Sequence, residues 1–230
     1  IMTVCDPASS VALQRVRKAG LPVVTIYNEG TPDDVAAVMV DNRGAVRRMT
    51  EELLALGHRD IVFVGGKFIS SDRSARRYEG YRDAMIAAGL PAAPAIEVDY
   101  IDATRDVDIV EILAQHQPTA IIASNDLLAV TVIASLRRAG LGIPEDVSVI
   151  GFDGIDFARQ LSPKLSTIRQ PSEAMGTLAA SLLLDMAAGH KAPQRLCPDV
   201  IPLAGETIAP PRRGEPSLSL VPQENGKLRP

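Results

Sequence analysis

The chain has 230 residues, 46% of them hydrophobic, with 24 Lys and Arg against 28 Asp and Glu and a net charge of −4. That is enough apolar material for a sizeable core, and the acidic balance, with no Lys/Arg run interleaved with aromatics, argues against a nucleic-acid surface on these residues. No apolar run reaches membrane-spanning length, and Cys5 and Cys197 stand in no metal or redox spacing, so both read as buried, reduced thiols suited to a reducing cytosol.

Ile1–Val4 reads as a strand ending at Asp6-Pro7. It begins abruptly and has neither the basic leader nor the long apolar stretch of a signal peptide, as expected of a fragment. Ser9 or Ser10 can cap a helix carrying Val11, Leu13 and Val16, stopped by Gly20 after Arg17 and Lys18. Val23–Tyr27 is the next strand and Asn28-Glu29-Gly30 ends it. The apolar run Val35–Val40 follows, then Asp41-Asn42 can cap a helix through Leu56. Ile61–Val64 is a strand with a Gly65-Gly66 exit. A polar loop around Ser70–Ser74 leads into a helix that Gly89 closes. Ala95–Val98 reads as extended, and Thr104 can cap a helix to Gln115.

Thr119–Pro171 then holds a βαβ unit. Two apolar runs, Ala120–Ala123 and Val147–Ile150, end in Ser124-Asn125-Asp126 and Gly151-Phe152-Asp153-Gly154. The helix between them has Asp126 at its positive end and Arg137-Arg138 at its negative end. Ser172 reads as the cap of a further helix whose apolar residues Met175, Leu178, Ala179, Leu182 and Met186 fall at helical spacing. A β-like VIPL segment precedes Gly205. From Arg212 onward Pro, Gly, Ser and charge replace periodicity, so 212–230 reads as a disordered tail. Strands alternating with helices of a dozen residues predict an α/β fold with parallel sheets.

Three loops follow parallel strands: Ser70–Arg77, Ser124–Asp126 and Asp153-Gly154. They should share one sheet edge, where open α/β sheets bind ligands. Arg, Ser, Asn and Asp there are directional hydrogen-bonding groups, and Arg and Asp can each hold two adjacent hydroxyls. Each residue also has a plainer reading. Asn125 fits a helix cap as well as a ligand group, and Asp126 favours the cap. Asp153 and Asn28 fit turns, and Tyr100 fits a loop or a core plug. Arg76 and Arg77 lie near a helix N-terminus, where cations are disfavoured, which favours a functional reason for one of them. Enzyme readings are weaker: no histidine lies beside a nucleophile, and no G-x-S-x-G elbow, phosphate loop or metal spacing occurs.

Pro118–Asp126, Gly140–Asp153, Leu161-Ser162-Pro163, Leu165–Pro171 and Ser74-Ala75-Arg76-Arg77-Tyr78-Glu79-Gly80-Tyr81 together resemble the lactose-repressor (LacI/GalR) family of transcriptional regulators, over residues 1–211. The resemblance implies a two-lobed, periplasmic-binding-protein-like (type I) fold with effector bound between the lobes. The N-terminal lobe would be 1–41 and 171–192, lacking its first βαβ, and the C-terminal lobe 42–170 and 193–211. By motif, the effector contacts would be Asn28, Ser74, Arg77, Tyr100, Asn125, Asp153 and Gln170, with the Tyr100 ring stacked on a sugar face.

The resemblance further implies a non-catalytic, cytoplasmic homodimer that needs no cofactor or metal. Its partners would be a small sugar-like effector and, through a helix-turn-helix absent from these residues, operator DNA, with no membrane partner. The alternative is an exported sugar-binding protein of a transport system. One departure stands out: Gly205 replaces the Arg of the family's C-terminal R-E-S-T-A-P-P.

Overall fold

The computed structural model of the chain describes residues 1–99, 107, 109–190 and 195–212. Helix α1 (Val11–Lys18) begins at Ser10, whose hydroxyl accepts the Leu13 N–H. Strands β1 (Val24–Ile26) and β2 (Ala36–Val38) pair in parallel, and β8 (Arg195–Leu196) adds to β2. Met2 bridges Thr25 on the other side, so the first segment edges this sheet. Helix α6 (Ser172–Ala187) packs on β1 and β2 through Met175, Ala179 and Leu182, a spacing that puts three buried side chains on one helical face.

The second sheet is parallel in the order β4-β3-β5-β6: β4 is Ile96–Val98, β3 Ile61–Gly66, β5 Ala120–Ala123 and β6 Ser148–Ile150. β3, β5 and β6 are buried along their whole length, without alternation, because both faces are covered, while the edge strand β4 is only partly buried. Ile61, Phe63, Ala120, Ile122 and Ile150 enter one core, against α2 (Asn42–Ala55) and α3 (Asp72–Ala87). Val62, Val64, Ile121, Ala123 and Val149 enter another, against α4 (Ile109–His116) and α5 (Asp126–Arg138). The first core continues to Val24, Val38 and Met175, so one apolar cluster runs under both sheets. A third strand pair, β7 (Thr167–Arg169) with β9 (Ile201–Leu203), is antiparallel, and β7 extends the second sheet through parallel bridges Ile150–Ser166 and Asp153–Arg169.

Helices α2 and α3 cross closely enough that a Cβ on Gly80 would lie 2.1 Å from the Arg43 carbonyl oxygen. A glycine is required there for contact rather than for conformation. Tyr81, next in the chain, is fully buried. Its hydroxyl donates to the Ile61 carbonyl and accepts the Ala93 N–H, which satisfies its one polar group.

The structure corrects several expectations. Asn125, not Asp126, caps α5: its side chain accepts the Leu128 N–H at 2.8 Å, while Asp126 is already helical and turns inward. Ser172 is likewise the first helical residue of α6, and Pro171, with no side-chain acceptor, holds the cap position. Cys5 and Cys197 are exposed rather than buried, since each lies just beyond short pairing at the first sheet's margin. Arg195–Leu196, expected with the second lobe, pairs with β2 in the first sheet. The Thr104 cap, Tyr100 and residues 213–230 lie outside the described residues.

Candidate functional site

Because β3, β5 and β6 are parallel neighbours, their C-terminal ends and following loops share one edge, as the alternation of strands and helices predicts. The side chain that gathers them is Arg77, on the second turn of α3 and only 4% exposed. Its Nε donates to Asn42 Oδ1 at 2.7 Å, and its Nη1 donates to the Ser124 carbonyl at the end of β5. The same Nη1 lies 3.5 Å from Asp153 Oδ1, and the guanidinium carbon stands 3.7 Å over the Phe152 ring.

Asp153 reaches this position through a left-handed backbone, φ 119°, which is costly for a residue with a Cβ. It is held there by its N–H on the Ile168 carbonyl and by its own carbonyl, which accepts the Gln170 N–H. Gln170 Nε2 in turn donates to Asp153 Oδ1 at 2.7 Å. Arg77, Asp153 and Gln170, from three separate segments, thus form one cluster.

Its electrostatics follow from burial. Desolvation works against the Arg77 charge, partly offset by Asp153; desolvation likewise raises the Asp153 carboxyl, opposed by Arg77. Each charge is tolerated because the other is present. Behind them Asp126, fully buried, accepts Thr167 Oγ1 at 2.5 Å and the Ile155 N–H at 2.8 Å. Burial pushes its carboxyl up to about 6 against those hydrogen bonds.

The described residues contain three buried polar side-chain atoms with no hydrogen-bond partner: Arg73 Nη1, Ser124 Oγ and Gln170 Oε1. All belong to this neighbourhood, one turn before Arg77, at its carbonyl acceptor, and on Asp153. A buried polar atom left unpaired costs about 1–3 kcal/mol, and these three lie close together.

Of the other expected residues, Ser74 is buried on the same helix with its hydroxyl beside Gly66. Asn125 is adjacent in chain, but its carbonyl oxygen serves the α5 cap. Asn28 is fully buried and already engaged: Oδ1 accepts the Val4 N–H, and Nδ2 donates to the Val4 carbonyl and to Asp72 Oδ1. Gly205, where the resemblance would place an Arg, has no room for a side chain: a Cβ would come within 2.4 Å of the backbone at Lys164 and Ser166.

Sequence reasoning did not single out Asn42, Phe152, Asp72 or Arg73. Asp72 has a distinctive position. Besides Asn28, its carboxylate accepts the Glu29 N–H at 3.0 Å and the Gly30 N–H at 3.3 Å, and its own N–H reaches the Cys5 carbonyl. The first turn of α3 is thereby fastened to the loop that ends β1 of the other sheet. Glu29 adds a second tie, accepting the backbone and side-chain N–H groups of Asn42.

The model of the periplasmic binding protein-like domain matches residues 50–202. The HTH-type transcriptional regulator GntR of Escherichia coli K12 is 30% identical over 200 residues, covering 86% of this chain and 58% of that protein. The chain spans little more than half the length of the curated relatives it matches. Among solved structures, a complex of the transcriptional regulator CelR with cellobiose matches with TM-score 0.76 and 30% identity, covering 84% of this chain and 61% of that one. A LacI family regulator from Enterococcus faecium with bound ribose matches with TM-score 0.77 and 27% identity, over 91% of this chain and 80% of that one.

Proposed function

This chain belongs to the periplasmic binding protein-like family, as an effector-binding domain of the LacI type, and from that premise we propose that it is the sensing and dimerising core of a DNA-binding transcriptional regulator. A small polyhydroxylated ligand binds between the two sheets, at the strand ends where Arg77, Asp153 and Gln170 meet. The observation that carries this reading is the gathering of three unpaired buried polar atoms around that cluster. The relatives with cellobiose and ribose supply the ligand class, and the relatives that are regulators favour this role over an exported carrier.

Chemically the site is a set of fixed donors and acceptors. Asp153 accepts from ligand hydroxyls, Gln170 Oε1 and Ser124 Oγ provide further partners, and Arg77 holds Asp153 charged and in place. Ser74, Asn125 and Asn28 line the surroundings. No step breaks a covalent bond, so the site binds without turnover. No described helix is long and apolar enough to cross a membrane, and a regulator of this type works in the cytoplasm. Ligand preference for one arrangement of the two sheets would change affinity for operator DNA, contacted by a segment outside this chain.

Thermal unfolding with a panel of sugars tests the reading. A true effector at a hundredfold its dissociation constant stabilises by ~2.7 kcal/mol, and Asp153→Ala should remove the shift. A shift that survives that substitution refutes the site assignment.

A further inference from the structure

Arg73 follows Asp72 in the first turn of α3, where the helix dipole disfavours a cation. Its Nη1 is buried and has no hydrogen-bond acceptor. The nearest carboxylate atom paired with it is Asp72 Oδ1, at 4.0 Å. That carboxylate is already taken: Oδ1 by Asn28 Nδ2 and the Arg73 backbone N–H, Oδ2 by the Glu29 and Gly30 N–H groups. Asp153, the other carboxylate whose charge Arg73 feels, is engaged by Gln170 and faces Arg77. The site therefore contains two guanidinium groups one helical turn apart: Arg77 makes two hydrogen bonds, while Arg73 has an ion pair with Asp72 at 4.0 Å and an Nη1 without an acceptor.

We propose that the ligand carries an anionic group, a carboxylate or a phosphate on a polyhydroxylated skeleton, and that Arg73 is the residue that selects it. This rests on the site reading above and deepens it. A hydroxyl would fill the geometry of Arg73 Nη1, but a carboxylate or phosphate oxygen fills it with a charge-assisted bond, stronger than a neutral one and shorter than the 4.0 Å pair to Asp72. Hydroxyls of the same ligand fall to Asp153, Gln170 and Ser124. The division is one arginine for structure and one for the ligand's charge.

The test is calorimetric titration of the chain with glucuronate, glucose 6-phosphate, ribose 5-phosphate, glucose, ribose and cellobiose at constant ionic strength. At least one anionic sugar should bind ten-fold or more tightly than its neutral counterpart. The glucuronate and phosphate arms tell carboxylate from phosphate. Arg73→Gln should abolish the ten-fold preference while leaving neutral sugars within about two-fold, a ten-fold loss being about 1.4 kcal/mol. Arg73→Lys should retain part of it. Melting curves check that both variants fold, and if Arg73→Gln does not, Arg73→Lys carries the comparison through its ratio of anionic to neutral affinity. Neutral sugars binding as well as the anions, or all arms weakening together in the variant, overturns the selection by Arg73 and leaves the sugar site standing. Binding in no arm overturns both.

Discussion

Asp126→Asn should make this protein more stable at neutral pH and flatten its response to acid. Asp126 has no exposed surface, and burial raises its carboxyl from 3.8 to about 6. The folded state therefore holds this proton more tightly than the unfolded chain. By linkage, its contribution to stability is fully present below pH 3.8 and is lost as pH rises through about 6. A shift of roughly two units at 1.36 kcal/mol each puts the cost of the ionised form at about 3 kcal/mol at pH 7. Asn carries no charge at either pH. Its single oxygen can keep the Ile155 N–H, and the Thr167 hydroxyl can turn to accept from the amide, as it must for a protonated Asp. Urea unfolding of parent and variant at pH 4 and pH 7 gives the double difference, in which carboxylates not coupled to Asp126 cancel. The variant should gain about 2–3 kcal/mol relative to the parent between the two pH values. A double difference below about 0.5 kcal/mol would mean that the buried carboxylate is as well solvated as an exposed one, and the reasoning from burial would be wrong.

Two further outcomes can be checked on the same material. Gly80→Ala pushes a methyl to 2.1 Å from the Arg43 carbonyl, so α2 and α3 must separate, and the urea midpoint should fall by an amount corresponding to about 3 kcal/mol; an unchanged midpoint would show that the crossing is slack. Asp72→Ala removes the acceptor for Asn28, Glu29 and Gly30 together. Amide exchange at Glu29 and Gly30 should accelerate by ten-fold or more while exchange in β5 stays slow, and equal acceleration everywhere would point to global destabilisation instead.

The second sheet was legible because its signals are local and redundant. Runs such as Ala120–Ala123 can only be strands buried on both faces, and Asp41, Ser10 and Gly140 punctuate helices by chemistry that does not depend on distant partners. Parallel order then brings Arg77 and Asp153 to one edge. What could not be read were side-chain assignments decided by long-range geometry. Asn125 and Asp126 are adjacent and both suited to capping; which one caps depends on where Thr167, 41 residues later, offers its hydroxyl. Asn28 looked like a free loop amide until Val4 and Asp72 consumed it. Arg73 drew no more notice than the rest of the Ser70–Arg77 loop, because an Nη1 without an acceptor is visible only once every neighbour is placed. The cysteines misled because cysteine is usually buried, and these two lie at the margin of a sheet only three strands wide.

The fastening at Asp72 has a kinetic meaning. Asn28, Glu29 and Gly30 all donate to a single carboxylate, so their hydrogen bonds cannot be given up one at a time by sliding; when that carboxylate moves away, all are released at once. Separation of the first sheet's loop from α3 then behaves as a discrete event with a defined barrier rather than a graded breathing. Arg73 follows Asp72 in that helical turn, so whatever binds it acts beside the same contact. Recognition of a charged ligand and release of this loop from α3 would be set by two consecutive residues.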